Sequence, residues 1–263
     1  AAGLKSTGKP DVALVVNDGP LDVAAAVFTS NRVVAAPVTW SRQVVEDGRA
    51  SAVVLNSGGA NACTGPEGFL DTHRTAEHTA DALGVSAGDT IVCSTGLIGV
   101  RLPMDKLLPG VDAAVSALSA DGGTDAAHAI MTTDTVAKTA VVTVETASGT
   151  WTVGGMAKGA GMLAPGLATM LSVITTDAVV DAATADAALR AATASTFDRV
   201  DSDGCMSTND TVVLLASGAS EQTPTLDELT AAVTEVSASL SRQLVADAEG
   251  ASHDIAVTVS GAT

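Results

Sequence analysis

Residues 151–176 read WTVGGMAKGAGMLAPGLATMLSVITT, and this stretch constrains the fold more than any other. Its only charged residue is Lys158. The density of glycine, together with Pro165, argues against a membrane helix, which needs about twenty continuous apolar residues, and predicts a tightly turned loop. The β-branched, apolar run 169–176 then favours a buried strand. The pattern therefore places a hydroxyl residue, Thr169, where a loop meets a rigid strand.

A threonine in such a position has two interpretations. Thr169 is either a nucleophile held on a rigid scaffold or one of many threonines in a Thr-rich chain. In the same way, Lys158 either binds an anionic group or is an ordinary surface lysine. The residues alone leave both interpretations open.

The composition is that of a globular protein, because 46% of the residues are hydrophobic and 16% are charged. The net charge of −17 argues against binding to nucleic acid or to an anionic membrane. We expect neither a signal peptide nor a transmembrane segment. The cysteines Cys63, Cys93 and Cys205 are widely spaced and odd in number, which favours a reducing, cytoplasmic setting.

No metal site is expected. His73 and His78 do not have the spacing of an HExxH pair. The DSDG segment at 201–204 resembles the start of a calcium loop, but Val212 occupies the position where an EF-hand requires glutamate.

Short strands and helices are predicted along the whole chain. The strands are expected at 11–16, 24–29, 52–55, 91–93, 140–145, 211–217 and 254–261, and the helices at 69–83, 107–118, 125–131, 181–197 and 226–246. Residues 56–68 and 94–99 are expected to form Gly-containing loops or turns. Since strands and helices do not alternate in a regular βαβ order, we predict an α+β, or layered α/β, fold.

Seven segments resemble motifs of the glutamate N-acetyltransferase (ornithine acetyltransferase) family of arginine biosynthesis. The segment MAKGAGMLAPGLATML at 156–171 is similar to the self-processing motif of that family. The other segments are GLKSTG at 3–8, VFTSNRVVAAPV at 27–38, NSGGANACTG at 56–65, CSTGLIGVRLPMDK at 93–106, AIMTTDT at 129–135 and ADAEG at 246–250.

The resemblance implies an αββα-like sandwich similar to that of N-terminal-nucleophile hydrolases. It also implies two parts of the chain: a catalytic sandwich domain at 1–215, which contains the cleavage point, and a helix and strand at 216–263 that begin a second, incomplete α/β domain. The N-terminal and C-terminal motifs of the family are absent, so the chain resembles a fragment that lacks both ends.

The resemblance further implies a self-cleaving acetyltransferase. The bond between Ala168 and Thr169 would be cut, and Thr169 would carry an acetyl group from N2-acetylornithine to glutamate. Thr95 and Gly96 would then form the oxyanion hole. Thr132, Lys158, Thr169 and Glu249 would bind substrate.

The same family implies no cofactor, although acetyl-CoA stays open as a second acetyl donor. The expected partners are N-acetylornithine, ornithine and glutamate, and the α and β chains made by self-cleavage would assemble into a higher oligomer. Two alternatives remain: a related Thr-nucleophile amidohydrolase or aminopeptidase, and an inactive, unprocessed fragment.

Overall fold

Eight strands and six α-helices form within residues 1–166 and 170–261, the parts of the chain that the computed structural model describes. The strands are β1 (Val12–Val16), β2 (Val23–Phe28), β3 (Ala52–Gly59), β4 (Thr90–Leu97), β5 (Lys138–Thr146), β6 (Gly149–Lys158), β7 (Leu171–Thr176) and β8 (Thr211–Ala216). The helices are α1 (Ala36–Val44), α2 (Gly65–Leu83), α3 (Met104–Ser116), α4 (Gly123–Ala129), α5 (Ala182–Ser195) and α6 (Leu226–Ala246).

The strands form two sheets. The smaller sheet has the order β1-β3-β4, with β1 antiparallel to β3 and β3 parallel to β4. The larger sheet has the order β2-β8-β7-β6-β5, and its only parallel pair among the described residues is β7 with β8. The adjacent strands β7 and β8 therefore begin at the same edge of the larger sheet.

The larger sheet is buried on both faces along β2, β7 and β8. Along β2, Ala25 and Val27 belong to one hydrophobic core, whereas Ala24 and Ala26 belong to another. Successive side chains of a strand point to opposite faces of its sheet, so this alternation assigns one core to each face. The same alternation continues along β8.

Each core joins the larger sheet to a different layer. On one face the sheet packs against α5 and α6, whose buried residues recur at helical spacing, for example Leu229, Val233, Val236 and Leu240. On the other face it shares a core with the smaller sheet, which α1, α2 and α3 cover from outside. The layers are thus helix, sheet, sheet and helix, which confirms the predicted layered sandwich.

One prediction about the central stretch is wrong. Residues 149–158 form strand β6 and not part of a loop, because β6 is hydrogen-bonded to β5 on one side and to β7 on the other. Gly155 lies inside this strand where α6 packs closely. A Cβ atom there would lie 3.2 Å from side-chain atoms of Leu240 and Val236. The glycine reflects close helix packing and not a turn.

Other segments also differ from the sequence-based prediction. Helix α1 was not predicted, and residues 94–97 belong to β4 instead of forming a turn. The predicted strand at 254–261 is not formed. Its alternating residues Ile255, Val257 and Val259 are 76%, 83% and 76% exposed. A strand needs a neighbour for its backbone hydrogen bonds, and no described strand pairs with this segment.

The division of the chain after residue 215 stays a prediction. Helix α6, which follows that boundary, packs against α5, β5 and β6 of the sandwich. Its start is fixed by a capping box between Thr225 and Glu228.

Candidate functional site

The candidate site lies at the edge of the larger sheet where β6 ends and where β7 and β8 begin. Lys158, the last residue of β6, is paired with Leu171, the first residue of β7. Leu171 is in turn paired with Thr211, the first residue of β8. This row places Lys158 close to the residues that precede β7 and β8, among them Met170 and Asp210.

Lys158 is a buried lysine and not a surface one, with only 1% of its surface exposed. Its Nζ donates a hydrogen bond to the Thr95 hydroxyl oxygen, 3.3 Å away in the smaller sheet. Burial lowers the pKa of Lys158, while the carboxylates of Asp134 and Asp210 act in the opposite direction. The site therefore holds a lysine that is shielded from water and compensated by acidic neighbours.

Asp134 organises the backbone around Lys158. Its Oδ1 accepts the Gly159 amide at 2.7 Å, and its Oδ2 accepts the Thr132 amide at 2.9 Å. Burial by itself would raise the pKa of Asp134, but the charge of Lys158, the Lys138 ammonium and these two amides together hold it below its ordinary value. Asp134 is thus an ionised carboxylate that connects Thr132 to the end of β6.

Lys138 extends this network to the C-terminal end of α6. It is fully buried, and its Nζ lies 2.7 Å from Asp134 Oδ1 and 2.6 Å from Asp247 Oδ2. Two residues further on, the Glu249 amide donates to the Ala160 carbonyl at 2.6 Å. These contacts fix the segment that carries Glu249 beside residues 159–161.

The carboxylate of Glu249 lies next to Gly161. A Cβ atom at Gly161 would be 3.0 Å from Glu249 Cδ and Oε1. Glu249 itself is exposed, so its carboxylate is free to meet a charged group from solvent. Glu249 therefore faces the same short segment that follows Lys158.

Gly96 adopts a backbone conformation that favours glycine, with φ +130°. A Cβ atom at this position would lie 2.5 Å from the Gly58 carbonyl carbon, because β3 and β4 approach closely there. Gly96 is exposed, whereas the adjacent Thr95 is buried. The backbone of β4 can thus approach a bound molecule at Gly96 without an intervening side chain.

Asp210 lies at the start of β8, fully buried. Its Oδ1 accepts the Met170 amide at 2.9 Å, but its Oδ2 has no hydrogen-bond partner among residues 1–166 and 170–261. Burial raises the pKa of Asp210 to about 7, against the opposing effects of the Met170 amide, the hydroxyls of Thr29 and Ser207, and the charge of Lys158. This carboxyl group therefore changes its charge near neutral pH.

The structure brings together the predicted substrate residues, but not every predicted residue is described. Thr95, Thr132, Lys158 and Glu249 are linked by the contacts above, and Gly96 follows Thr95 directly. Ala168 and Thr169, the predicted cleavage point and nucleophile, lie outside the described residues.

Sequence reasoning missed the charged residues that surround Lys158. These are Asp134, Lys138, Asp210 and Asp247, all of them buried or nearly so. The sequence carried a signal for two of them, since Lys138 and Asp210 shortly precede the apolar, β-branched segments 140–145 and 211–217. A charged residue at the end of a buried strand has to find a partner or change its protonation.

The described residues contain no group of three or more His, Cys, Asp or Glu side chains that could hold a metal ion. Within the same residues, no helix combines the length and hydrophobicity that a membrane span requires. The three cysteines Cys63, Cys93 and Cys205 are free.

Comparison with known proteins assigns the chain to a family. The model of the ArgJ family matches residues 1–263. The arginine biosynthesis bifunctional protein ArgJ of Streptomyces avermitilis is 68% identical over 262 residues, which are 100% of this chain and 67% of that protein. The protein of the same name from Mycobacterium leprae is 60% identical over 268 residues, covering 99% of this chain and 65% of that one. The chain thus spans about two thirds of the length of these relatives.

Solved structures agree with this assignment. Ornithine acetyltransferase from Mycobacterium tuberculosis, solved in complex with ornithine, is 56% identical with a TM-score of 0.59, over 65% of this chain and 89% of that one. An L-aminopeptidase D-Ala-esterase/amidase from Ochrobactrum anthropi, described as a variant of the Ntn hydrolase fold, is 14% identical with a TM-score of 0.50, over 92% of this chain and 74% of that one. That second likeness shows the fold alone. The chain belongs to the ArgJ family of arginine-biosynthesis acetyltransferases.

Proposed function

We propose that the chain carries the acetyl-transfer centre of an ornithine acetyltransferase, moving an acetyl group from N2-acetylornithine to glutamate through an acetyl-Thr169 intermediate. The observation that carries the proposal is the buried contact between Lys158 Nζ and Thr95 Oγ1, at 3.3 Å, beside the strand that begins two residues after Thr169. Lys158 supplies a cation, Thr95 a hydroxyl donor and Gly96 an exposed stretch of backbone in one place. This combination suits the binding of a carboxylate and an acyl group.

Cleavage between Ala168 and Thr169 would create the nucleophile. A freed α-amino group has an ordinary pKa of about 7.7–8.0, so it can take the proton of its own hydroxyl near neutral pH. The match to the ArgJ family over residues 1–263 supports a cut at this point, because the segment 156–171 resembles the self-processing motif of that family.

Thr95 and Gly96 would stabilise the tetrahedral oxyanion. The Thr95 hydroxyl and the Gly96 backbone amide are donors of the kind that an oxyanion hole needs, and removal of one such donor typically costs about 2.7–4 kcal/mol of transition-state stabilisation. The absence of a side chain at Gly96 and the closeness of Gly58 keep this part of the backbone open and rigid. Lys158, within hydrogen-bonding distance of Thr95, would add positive charge on the same side.

The remaining predicted residues would orient the substrate. Lys158 would pair with a substrate carboxylate, and Thr132, held by Asp134, would hydrogen-bond the same substrate. Glu249 would pair with the side-chain amine of ornithine. The exposure of Glu249 and the burial of Lys158 fit an elongated amino acid whose amine end lies towards solvent.

The α and β chains made by the cut would remain associated, because β6 and β7 are paired across the cleavage point, and would assemble into a higher oligomer. The chain needs no cofactor, and acetyl-CoA would serve as a second acetyl donor if the chain is bifunctional like its named relatives. A cytoplasmic location is supported by the three free cysteines.

Two measurements on the purified 263-residue chain test the proposal. An intact mass spectrum should show two products, 1–168 and 169–263. Labelled N-acetylornithine should then pass its acetyl group to glutamate. Release of the label to water instead would indicate an amidohydrolase, and an uncut chain without turnover would indicate an inactive fragment.

A further inference from the structure

The acetyl-transfer mechanism above does not use Asp210. Its carboxylate nevertheless accepts a hydrogen bond from Met170, the residue that follows the proposed nucleophile Thr169. Asp210 Oδ1 accepts the amide of Met170 at 2.9 Å, and the nitrogen of that amide is covalently bonded to the carbonyl carbon of Thr169. A backbone hydrogen bond joins the same two segments, since the Thr211 amide donates to the Met170 carbonyl at 3.2 Å. Asp210 is thus fixed to the start of β7.

The second oxygen of this carboxyl group is unusual. Oδ2 is buried and has no hydrogen-bond partner within the described ranges 1–166 and 170–261. The hydroxyls of Thr29 and Ser207 lie near enough to Asp210 to lower its pKa, but neither has the geometry of a hydrogen bond to Oδ2, and that of Thr29 donates to the Ser207 carbonyl at 2.8 Å. A buried oxygen without a partner costs free energy, and such atoms in native proteins call for a functional explanation.

Self-cleavage creates a need that the mature enzyme does not have. In the intact chain the nitrogen of Thr169 is a peptide nitrogen, so it cannot act as the base for its own hydroxyl. Another group has to take that proton before the first cut. Among the described residues at this edge of the sheet, Lys158 donates its hydrogen bond to Thr95 of the other sheet, whereas Asp210 is bonded to the residue that follows Thr169 and keeps a free acceptor oxygen.

We propose that Asp210 is the catalytic acid–base group of the self-cleavage between Ala168 and Thr169. This inference rests on the proposed function, since it assumes that the cut occurs at that bond. The Asp210 carboxylate takes the hydroxyl proton of Thr169 while the hydroxyl oxygen bonds to the Ala168 carbonyl carbon. Asp210 then gives the proton to the Thr169 nitrogen as the carbon–nitrogen bond breaks. Water hydrolyses the resulting ester to the Ala168 carboxylate and the Thr169 hydroxyl.

The electrostatics of the site suit this proton transfer. Burial raises the pKa of Asp210 to about 7, and general acids and bases work best when their pKa lies near the operating pH. The Met170 amide, the hydroxyls of Thr29 at the end of β2 and of Ser207 in the preceding loop, and the charge of Lys158 at the end of β6 act against this rise. Asp210 thus exchanges a proton readily at neutral pH.

The test follows cleavage of newly made chain by cell-free translation and gel electrophoresis, from pH 5.5 to 8.5. The wild-type cleavage rate should rise about tenfold per pH unit below pH 7 and level off above it. Asp210→Asn keeps an acceptor for the Met170 amide but cannot take a proton, so it should cleave about 10²–10⁴-fold more slowly at pH 8 and without that rise. Asp210→Glu, which restores a carboxylate, should recover part of the rate and its pH dependence.

Asp177→Asn is the matched control. Asp177 also accepts one backbone amide, that of Thr152 at 2.7 Å, but it lies at the opposite end of β7. This variant should cleave like the wild type. Thr169→Ala should not cleave at any pH.

The outcomes separate the two proposals. If Asp210→Asn cleaves with the wild-type rate and pH profile while Thr169→Ala stays whole, Asp210 has no such role and the proposed function stands. Equal slowing in Asp210→Asn and Asp210→Glu would show a structural role and would also overturn the inference. If Thr169→Ala is still cut, the proposed function itself fails.

Discussion

The ammonium group of Lys158 lies 3.3 Å from the hydroxyl of Thr95, and the two residues belong to different sheets. Lys158 ends β6 of the larger sheet, whereas Thr95 lies near the end of β4 in the smaller one. The distance between the proposed carboxylate-binding group and the proposed oxyanion donor is therefore set by the packing of one sheet on the other. Mutations in the shared core between the sheets are expected to alter catalysis even where they do not touch substrate.

Replacement of Lys158 by methionine should weaken substrate binding. Loss of a hydrogen bond to a charged group costs roughly 1.5–3 kcal/mol, so Lys158→Met should raise the KM for N-acetylornithine on the order of ten- to a hundredfold. Methionine fills much of the same buried volume, and Asp134 retains Lys138 as a partner. Steady-state kinetics and thermal unfolding of the variant check this. Lys106→Met, which removes an exposed lysine, is the control and should change neither. A stability loss with an unchanged KM would mean that Lys158 is structural.

Gly96 should tolerate no side chain, whereas the nearby Gly99 should. Both residues have positive φ, +130° and +83°, so both alanine variants carry backbone strain. Only at Gly96 does a Cβ atom meet the backbone of Gly58, at 2.5 Å, because nothing lies within 4 Å of the corresponding atom at Gly99. Gly96→Ala should therefore displace the proposed oxyanion donor and lower kcat about 10²–10³-fold.

The Gly99→Ala variant should keep a kcat near that of the wild type and lose only a little stability. Measurement of kcat and of the free energy of unfolding for both variants separates the steric contact with Gly58, which occurs only at Gly96, from the backbone strain that both variants share. Equal losses of kcat would show that backbone strain, and not the contact with Gly58, explains the Gly96 result.

Much of the fold was predictable because local signals agreed with the tertiary structure. Helix α6 begins at Leu226 and ends at Ala246, as predicted, since a capping box marks its start and its apolar residues recur at helical spacing. Strand β6 was not predictable in the same way. Its glycines favour a loop locally, and only the packing of α6 over Gly155 explains why they belong to a strand.

The site was predictable only in part for a similar reason. The resemblance of short motifs pointed to Thr95, Thr132, Lys158 and Glu249, and the structure brings these residues together. Asp134 stands in the motif at 129–135 and Asp210 in none of the seven motifs, and the roles of both buried carboxylates depend on which groups surround them. The burial of a side chain and the lack of a hydrogen-bond partner for a polar atom are properties of the folded chain, and residue spacing in the sequence does not predict them.

The Lys138 network should contribute strongly to stability. Lys138 is fully buried between Asp134 and Asp247, and removal of one partner from a buried ion pair costs about 3–5 kcal/mol. Lys138→Met should therefore lower the free energy of unfolding by about that amount, measured by denaturant titration. Arg49→Met is the control, since Arg49 and Asp22 form an exposed pair worth at most about 1 kcal/mol. Similar losses in both variants would contradict the assignment.

Asp210 should make stability depend on pH in a defined direction. The pKa of its carboxyl group is 3.8 in an unfolded chain and about 7 in the folded protein, so the folded state binds the extra proton between these values. Its contribution to stability is complete below the unfolded pKa and is lost as the pH rises through 7, by roughly 4 kcal/mol at most.

An asparagine at position 210 cannot ionise and should remove this dependence. The comparison is best made between Thr169→Ala and Thr169→Ala with Asp210→Asn, because neither chain is expected to cut itself, so that both remain single chains. The variant with asparagine should gain stability relative to its partner as the pH is raised from 4 to 8, measured by urea unfolding at each pH. A difference between the two chains that stays constant over this range would show that Asp210 is ionised throughout, and it would remove the proton exchange on which the proposed self-cleavage step depends.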